Sequence, residues 1–593
     1  MKELFAQLFQ KRYTLPRAEM LDRAVRSFSP VERVLFGILC LLFALGTLGL
    51  LYKINALFLV EVPSFGGTVR EGIVGSPRFI NPLLALSDAD RDLSALIYSG
   101  LLKATPEGTL VPDLAEAYEI SADGLSYTFT LREDARFHDK VAVTADDVVF
   151  TIQKAQDPAL KSPKRANWEG IAVEKLGERS VKLTLKQPYP PFLENAALGI
   201  LPKRLWKEAD AEQFPFSERN IAAVGSGPYR IGKVKRNGSG IPMLVELVPF
   251  EEYALGAPSI ARFVFRFYQN ERELLAALTR GEIESASAIT PEQAVRLDKK
   301  GRRIERTPLP RVFAVFFNQN QAPILADASV RKALSLAVDR ERLVSEVLFG
   351  YGVPVLGPVP PLLLGGGRAG RDAETPSAHE REEQAREKRE QAEQLLDAAK
   401  WTRQKESGMR EKTKGKLTEP LSFSVQTANI PELQESAERL KAMWRDIGAE
   451  VTVQIFESGD LNQNVIRPRR YDALLFGEVI GRDLDLFAFW HSSQRNDPGL
   501  NVALYTNAKV DKLLEEARRS SSAEKRLESH QSAVAAIERD HAAVFLYAPE
   551  FIYVAPRAVR GLRLSRVTIP SERFLNVHEW YINTEKVWSI FTK

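Results

Sequence analysis

The segment from Tyr471 to Trp490, YDALLFGEVIGRDLDLFAFW, contains the side chains best suited to hold a small ligand. It places acidic residues among aromatic ones, with glycines at 477 and 481 that let the backbone approach a ligand closely. A carboxylate against aromatic walls suits an amine-bearing solute. The segment therefore predicts a ligand-binding site. Its candidate contacts are Glu478, Asp483, Asp485, Phe487 and Trp490.

The same residues have a structural interpretation. Acidic side chains commonly cap loops, and aromatic side chains commonly fill a core. An unpaired carboxylate is costly to bury, so a binding site built this way should stay open and hydrated when it is empty. On residues alone the two interpretations have equal weight.

Motifs of enzymes are missing from the chain. It has no G-x-S-x-G nucleophile elbow, no H-E-x-x-H zinc motif and no Walker loop. The stretch from Gly365 to Gly370 satisfies G-x-G-x-x-G, but it follows a Pro-rich loop instead of a strand, so it does not predict dinucleotide binding. We expect a protein that is not an enzyme and that carries no cofactor.

Metal and nucleic-acid sites are also not predicted. The six histidines are scattered, and none stands one helical turn from another. Net charge is +4 from 81 basic and 77 acidic residues, which is far from the concentrated basic surface that nucleic acid requires. With 593 residues, 44% of them hydrophobic, the chain should fold into two or three domains or one multi-lobed unit.

The segment from Val34 to Tyr52 is long enough to span a bilayer. It reads VLFGILCLLFALGTLGLLY, 19 residues without a charge. Seven basic residues against four acidic ones precede it, so the positive-inside rule places residues 1–33 in the cytoplasm. The prediction is a single-pass protein of the cell membrane, with the lipid bilayer as a partner and an extracytoplasmic body after a linker over 53–65.

A cleaved signal peptide is the alternative to this anchor, because Ala44-Leu45-Gly46 loosely resembles a small-x-small cleavage site. The long leading region and the long apolar run favour the uncleaved anchor. Cys40 is the single cysteine, which excludes an intrachain disulfide, and the residues before it do not form a lipidation site. Burial must therefore stabilise the body.

The rest of the chain alternates helical and strand patterns, which indicates an α/β protein. Residues 118–131 predict a hairpin around Asp123-Gly124, and Thr144 predicts the N-cap of a helix. A helical block that restarts at Asp339 is expected over 329–350, helices over 435–447 and 523–540, and strands over 451–455 and 543–547, the last closed by Pro549. Residues 380–394 read as a solvated, charged helix.

Several stretches together resemble the extracellular solute-binding proteins, family 5, of ATP-binding-cassette importers. They are NPLLALSDADRDLSALIYSGLLK at 81–103, VPDLAEAYEISADGLSYTFTLREDARFHD at 111–139, VTADDVVFTI at 143–152, GSGPYRI at 225–231 and VRKALSLAVDRERLV at 330–344. They follow the order of the family. With the late YD…DLDLFAFW segment they cover about residues 70 to 560.

The resemblance implies an α/β fold of the type II-like periplasmic-binding-protein class, with two lobes, a hinge and an extra domain, preceded here by one transmembrane helix. The solute-binding domain would cover 66–593. Lobe I would comprise 66–92, 216–315 and 546–593, the extra domain 93–215, and lobe II 316–545 with a charged insertion at about 366–394. Lobe closure on the ligand would precede delivery to a permease.

The resemblance also bears on the site. In peptide-binding relatives an aspartate in the region matching 478–485 pairs with the α-amine of the peptide. Here the usual Trp-x-x-Asp reads Glu478-Val479-Ile480-Gly481, and the usual Asp-Pro reads Asp483-Leu484. Glu478 and Asp483 are therefore candidates for that role rather than direct matches.

Three functions remain open at this point. The leading hypothesis is a membrane-tethered substrate-binding component of an importer, which binds peptides or peptide-like solutes and works with permease and ATPase subunits. A receptor for a non-peptide solute, such as a nickel chelate, is a variant of it. The alternative is a membrane-anchored sensory or scaffold protein that keeps the fold without import. An anchored hydrolase lacks the motifs for its chemistry.

Overall fold

The computed structural model describes residues 23, 25–287, 289–365, 377–482, 484–520 and 522–591. The chain divides into two compact units, which are described separately below. The terminal unit comprises Met1–Ser64 with Asn583–Lys593. The body comprises Phe65–Ile582.

The described chain contains 23 strands, and most of them belong to the body. In chain order they are β1 Leu59–Ser64, β2 Thr68–Val74, β3 Leu102–Ala104, β4 Leu110–Pro112, β5 Ala115–Ile120, β6 Ser126–Leu131, β7 Ala172–Lys175, β8 Ser180–Thr184, β9 Tyr229–Arg236, β10 Pro242–Pro249, β11 Arg262–Tyr268, β12 Ser285–Ala286, β13 Arg303–Pro308, β14 Arg311–Phe317, β15 Gly352–Pro354, β16 Thr402–Arg403, β17 Arg410–Lys414, β18 Leu417–Pro420, β19 Ser422–Ala428, β20 Glu450–Phe456, β21 Ala473–Val479, β22 Ala543–Ala555 and β23 Asn583–Trp588.

Eleven described α-helices have eight or more residues. In chain order they are α1 Pro30–Phe58, α2 Asp88–Ile97, α3 Ala145–Gln156, α4 Glu271–Arg280, α5 Pro291–Lys299, α6 Ala328–Leu336, α7 Arg340–Val347, α8 Ala378–Ala398, α9 Pro431–Asp446, α10 Ala508–Arg519 and α11 Ala523–Arg539.

The body has two lobes, each with its own hydrophobic core. The core of lobe II is built between Val312 and Ala548, and its sheet has the order β20-β19-β21-β14-β22. The core of lobe I combines residues between Val69 and Phe267 with residues from Phe551 to Trp580, and its sheet continues from β22 through β12-β2-β11-β10-β9. One long strand, β22, therefore belongs to both sheets.

The chain crosses between the lobes at two adjacent points. Residues of β22 before Pro549 pair with β14 in lobe II, and those from Glu550 onward pair with β13 in lobe I. The second crossing is Leu309-Pro310, between β13 and β14, and the Leu309 N–H donates to the Pro549 carbonyl over 2.9 Å. Two adjacent, antiparallel crossings of this kind form a hinge.

These crossings differ from the sequence-based boundaries. The predicted limit at 315/316 lies inside β14, and the limit at 545/546 lies inside β22. The strand predicted to close at Pro549 runs on to Ala555, because proline removes only one N–H and the flanking residues keep their partners on β15 and β13. The structure therefore moves the hinge by a few residues.

Residues 93–215, predicted as an extra domain, contain an antiparallel sheet with the order β5-β6-β8-β7. The expected hairpin is present, because β5 pairs with β6 through a turn in which Gly124 has φ +69°. Its apolar side chains share the core of lobe I, and the limit predicted at 92/93 lies inside α2. We expect this region to move with lobe I.

Local sequence signals explain several helix ends. Thr144 and Asp147 form the capping box of α3, as the sequence predicted, and Ser87 with Asp90 caps α2 in the same way. The block predicted over 329–350 with a restart at Asp339 forms α6 and α7, and Asp339 is the N-cap of the second, as the sequence predicted. The charged helix α8 follows the undescribed residues 366–376, and its buried Ala392 and Leu396 join the core of lobe II.

The terminal unit contains the apolar helix. Helix α1 has 29 residues, a mean hydropathy of 2.6 in its most apolar window and no buried residue, so by length and composition it could cross a membrane. It is longer than the predicted span over 34–52. It ends at Phe58 and leads directly into β1, so the structure replaces the predicted linker over 53–65 with the end of a helix and a strand.

The last strand of the chain also belongs to the terminal unit. Strand β23 pairs antiparallel with β1 from Leu59↔Trp588 to Ser64↔Asn583. The sequence had placed residues 583–593 in lobe I. The structure differs because these residues find their hydrogen-bonding partner in β1, which begins at the residue after the apolar helix.

Candidate functional site

Glu478, the first of the predicted contacts, lies in the core of lobe II. It is on β21 opposite Val312 of β14, and only 4% of its surface is exposed. Burial raises the pKa of its carboxyl group well above the ordinary value, and the nearby Trp490 indole opposes that rise. Glu478 Oε1 and Trp490 Nε1 both lack a hydrogen-bond partner within the described chain. Burial therefore favours the protonated, neutral form of this acid.

Asp485 and Phe487 are engaged by one arginine. Arg518 Nη2 donates to Asp485 Oδ2 over 2.6 Å, Arg518 Nε contacts both carboxylate oxygens at 3.1 Å, and the guanidinium lies 4.0 Å from the Phe487 ring. Asp485 Oδ2 also accepts from the Tyr189 hydroxyl at 3.5 Å. The aspartate already has a cation, and it joins lobe II to residues 93–215.

The other two candidates behave differently. Trp490 is fully buried and packs on Phe316 and Phe545, so it belongs to the core. Asp483 lies outside the described residues. Among the four described candidates, none lines the cavity found between the lobes.

That cavity has a volume of about 360 Å³. Lobe I and residues 93–215 supply most of its lining, and Arg482 comes from lobe II. A hollow of about 260 Å³ continues from it along residues 94–99 and 194–199. Concave sites between lobes are where ligands of two-lobed proteins are held, because closure buries them on both sides. The polar lining residues are Tyr98, Ser99, Lys103, Asp113, Lys164, Asn167, Glu194, Asn195, Tyr253, Arg482, Thr568, Ser571 and Glu572.

Several of these lining groups are buried without a hydrogen-bond partner within the described residues. They are the Tyr98 hydroxyl, the Ser99 hydroxyl, Asp113 Oδ1 and Arg482 Nε. An unpaired polar atom in a buried position costs about 1–3 kcal/mol. None of these four atoms is exposed to the cavity, so a polar solute could pair with them only after the lining side chains move.

Lys103 and Asp113 form the charged wall of the cavity. Lys103 Nζ donates to the Tyr253 hydroxyl over 2.7 Å. Burial lowers the pKa of Lys103, while Asp113 and Glu579 oppose the change. Burial raises the pKa of Asp113 to about 6, with Lys103 as the main opposing charge. Each group therefore depends on the other, or on a ligand, to remain ionised.

Glycines of the GSGPY motif hold this wall in place. The Gly227 N–H donates to the Ile97 carbonyl over 2.8 Å, at the end of α2 and next to Tyr98. A Cβ at Gly225 would lie 2.0 Å from the Ile97 oxygen, so no larger residue fits there. The motif therefore fixes the backbone that carries Tyr98 and Ser99 into the cavity.

His138 supports the same motif from the other side. Its Nε2 contacts the Gly227 carbonyl at 3.1 Å, and its Nδ1 accepts from the Gly225 N–H at 3.3 Å. Burial lowers the pKa of His138 to about 4. A proton on Nδ1 would replace the acceptor that Gly225 requires, so the structure needs the neutral ring.

Acid should therefore weaken the protein at His138. The folded pKa lies below the unfolded value of about 6.5, so stability is lost as pH falls from about 6.5 toward 4, by about 2 kcal/mol per such histidine at pH 5. His138→Gln keeps an acceptor and a donor without titrating. Urea unfolding at pH 7.5 and 5 should show a smaller loss in this variant than in the wild type, and an equal loss would contradict the assignment.

Arg482 closes the cavity from lobe II. The Ile480 N–H after β21 donates to the Pro310 carbonyl at the hinge over 2.8 Å, and Gly481 turns with φ +87°. Arg482 Nη2 then reaches Glu572 Oε1 in lobe I at 2.5 Å, with 9% and 15% of the two side chains exposed. Thr568 holds the same carboxylate through its N–H and its hydroxyl, each at 2.6 Å. This ion pair joins the two lobes across the cavity.

The sequence reasoning missed the cavity residues as site residues. The stretch 81–103 contains Tyr98, Ser99 and Lys103, and the stretch 111–139 contains Asp113. Both stretches contributed only to the family resemblance. Arg482 adjoins the position where an aspartate is usual in the family. The sequence did contain a signal. Arg482 is basic and follows Gly481, the position where the family usually has an aspartate, and this change of charge points to a ligand of different chemistry.

Comparisons with known proteins agree with this geometry. Residues 109–499 match the family model described as bacterial extracellular solute-binding proteins, family 5 Middle. The chain belongs to family 5 of the extracellular solute-binding proteins. It is a binding protein of the extracytoplasmic type, and this family does not consist of enzymes.

Individual relatives cover most of this family 5 protein. The oligopeptide-binding protein AppA of Bacillus subtilis is 27% identical over 529 residues, which is 88% of this chain and 92% of AppA. The structure of that protein with a nonapeptide matches with a TM-score of 0.61 and 25% identity over 88% of this chain and all of the other. NikZ from Campylobacter jejuni, in complex with Ni(L-His), matches with a TM-score of 0.62 and 27% identity over 87% and 99% of the two chains.

These matches confirm the predicted fold class, the type II-like periplasmic-binding-protein fold. The matches do not bear on the limits of the lobes and of residues 93–215, which are those given above with the fold. The candidate contacts Glu478, Asp483, Asp485, Phe487 and Trp490 remain predictions about ligand binding. In this family 5 protein the described ones stand outside the cavity.

Proposed function

We propose that this protein is the membrane-tethered, extracytoplasmic receptor of an ATP-binding-cassette importer. It binds a peptide or peptide-like solute between lobes I and II and delivers it to a permease driven by an ATPase. The observation that carries the proposal is the polar cavity lined by lobe I, residues 93–215 and Arg482 of lobe II, with the charged pair Lys103 and Asp113 in its wall. AppA, an oligopeptide-binding protein, and its nonapeptide complex support the ligand class.

The charge pattern of the cavity narrows the ligand. Peptides and related compounds carry amide donors, carbonyl acceptors and terminal charges, which suit Tyr98, Ser99 and Asp113. Glu478 is neutral, and Asp485 is held by Arg518, so neither offers a free carboxylate to a ligand amine. We expect Asp113 to face a cationic group of the ligand, while Arg482 stays paired with Glu572.

Membrane attachment is a separate part of the proposal. Helix α1 is uncleaved and anchors the protein with residues 1–33 in the cytoplasm and the body outside. Support comes from its 29 residues, its mean hydropathy of 2.6 and the basic residues before it. A tether of this kind keeps the receptor close to its permease and raises its effective concentration there.

The test uses the full chain in lipid nanodiscs. Solutes that remain bound after purification are released by denaturation and identified by mass spectrometry. Hydrogen exchange is then compared with and without the recovered solute, and segments 98–113 and 566–575 should be protected when it is bound. Recovery of no peptide-like solute, together with unchanged exchange against a mixed peptide library, would favour a sensory or scaffold role.

A receptor for a metal chelate is the second candidate, because NikZ matches with 27% identity and carries Ni(L-His). Within the described residues no group of three His, Cys, Asp or Glu side chains could hold a metal ion. A chelate would therefore bind through its organic part, in the same cavity. Metal analysis of the solute released from the nanodiscs separates the two candidates.

Glu478→Gln tests whether the predicted acidic contact binds the ligand. Because Glu478 is a buried, protonated acid, the amide replaces it with little change, and solute affinity should stay within about two-fold. Titration of the nanodisc protein with the recovered solute measures this. A loss of ten-fold or more would show that Glu478 ionises and holds the ligand. Glu457→Gln, an exposed position between strands, is the control.

A further inference from the structure

The segment Asn583–Phe591 returns to the end of helix α1. Strand β23 runs antiparallel to β1, and its last residue, Trp588, stands opposite Leu59, the first residue after the helix. The chain then continues as a short turn, Ser589–Phe591. The direction of β23 is therefore back toward the apolar part of the terminal unit.

Two contacts fix Trp588 against the helix. Trp588 Nε1 donates to Asn55 Oδ1 over 2.8 Å, and the indole lies 6.3 Å from the Phe58 ring. Asn55 lies three residues before Phe58, or about 4.5 Å further along the axis toward the uncharged run. The indole thus covers the last turn of the helix instead of pointing away from it.

The surface around Trp588 is apolar and exposed. We name it the apolar collar, and its members with their exposed fractions are Leu57 82%, Phe58 50%, Val60 44%, Trp588 46% and Ile590 72%. The other six tryptophans of the chain are at most 2% exposed. Exposed aromatic and aliphatic side chains grouped in this way mark an interaction surface.

Polarity along the strand pair changes with distance from the helix. The pairs nearest the helix are Leu59↔Trp588 and Val60↔Val587, and the next is the charged pair Glu61↔Lys586. Further pairs add Glu585, Thr584 and Asn583. The apolar collar therefore occupies one narrow level of the unit, with charge directly beyond it.

The position of this level matches the edge of a bilayer. The uncharged run Val34–Tyr52 is about 28 Å long at 1.5 Å per residue, close to the hydrocarbon thickness of about 30 Å. Asn55 and Phe58 lie about 5 and 9 Å beyond Tyr52, at the depth of the headgroups. Tryptophan prefers that depth, because its ring is apolar and its N–H is polar.

We infer that Asn583–Phe591 is a second membrane-binding element, which seats Trp588 and Ile590 in the lipid headgroup region beside α1. This inference rests on the membrane span proposed above and adds a lipid-binding role for residues far from it in sequence. The paired strands hold the collar at a fixed level next to the helix. The partner is the lipid interface itself, and no protein is needed to cover the collar.

The experiment places the full chain in phosphatidylcholine nanodiscs, with or without lipids brominated near the headgroup. Bromine quenches nearby indoles, and the six buried tryptophans act as an unquenched background. The emission of Trp588 is the difference between the emission of the wild type and that of Trp588→Phe. We expect brominated lipid to quench about half or more of this difference. Equal quenching of wild type and Trp588→Phe would overturn the inference.

A second probe covers a failure of that variant to fold. In a Cys40→Ser background, Ile590→Cys labelled with an environment-sensitive dye should shift its emission to shorter wavelength in nanodiscs. A spectrum typical of water would overturn the inference. Alkaline carbonate extraction separates the two proposals. If the chain is released, both the membrane span and the seating of the apolar collar in the lipid are wrong. If the chain is retained but brominated lipid does not quench Trp588, only the inference about the collar is wrong.

Discussion

Arg573→Leu is expected to lower the free energy of unfolding by about 3–5 kcal/mol, the largest effect of any single substitution proposed for this protein. Arg573 is fully buried in lobe I. Its Nη1 and Nη2 donate to Asp92 at 2.9 and 2.5 Å, and Nη2 also donates to Glu71 at 2.9 Å. Leucine fills the space but leaves two buried carboxyl groups without their cation.

The surroundings of Arg573 explain why the effect is large. The Tyr553 hydroxyl and Ser285 both donate to the second oxygen of Glu71, and the Phe574 ring lies 4.1 Å from the guanidinium. Burial raises the pKa of Asp92 to about 6, with Arg573 as the main opposing charge. Without the arginine, each carboxyl group must take up a proton or remain a costly buried charge.

Chemical denaturation of the full chain in detergent, followed by circular dichroism, measures this loss. Arg296→Leu is the matched control, because Arg296 makes an exposed i,i+4 pair with Glu292 and should change stability by less than about 0.5 kcal/mol. The deficit of Arg573→Leu should shrink at pH 5, where the orphaned carboxyl groups protonate more readily. A loss below 1 kcal/mol at pH 7 would contradict the account.

Arg482→Met is the second substitution with a large expected effect, and it acts on lobe closure. The pair with Glu572 crosses the cavity, and both side chains are largely buried in this structure. Methionine removes the attraction and leaves Glu572 facing an apolar chain, so the open form gains population. We expect solute affinity to fall about 10- to 100-fold, or about 1.4–2.8 kcal/mol.

Closure can be measured without a ligand. In a Cys40→Ser background, nitroxides at Lys299→Cys in lobe I and Lys512→Cys in lobe II report the distance between the lobes. The distribution should shift to longer distances in Arg482→Met. Arg495→Met, on the surface of lobe II, is the control.

A double-substitution cycle with Glu572→Gln completes this test. If the two charges act on each other, the double variant should lose little more than either single variant. Additive losses, or an unchanged distance distribution in Arg482→Met, would show that the pair does not govern closure. Glu572 directly precedes Arg573 in the chain, so Glu572→Gln also shows whether a change at this position disturbs the buried Arg573.

Local sequence patterns predicted the elements that depend on neighbouring residues. The turn at Asp123-Gly124, the N-cap at Thr144 and the helix over 431–446 all follow from short-range preferences. The uncharged run after residue 33 likewise appears as a helix, although the structure extends it to Phe58. Such features require no knowledge of the rest of the chain.

The site depended on contacts that no local pattern encodes. Glu478 lies on a strand buried from both sides, where alternation does not show which side chain faces a ligand. Asp485 is paired with Arg518, 33 residues away, and Arg482 with Glu572, 90 residues away. The aspartate beside aromatic residues predicted a ligand-binding cleft. In the tertiary structure Asp485 is paired with Arg518, and the cavity lies elsewhere.

The pairing of β1 with β23 has a consequence for release of the receptor by proteases. The body leaves the terminal unit after Ser64 and re-enters it at Asn583, so it is a closed loop inserted between two paired strands. A single cleavage in either connection leaves the body covalently joined through the other, and six residue pairs hold β1 to β23. If α1 anchors the protein as proposed above, a cut before β23 leaves the body covalently attached to the helix, whereas a cut after β1 leaves it held only by the pairing of β1 with β23.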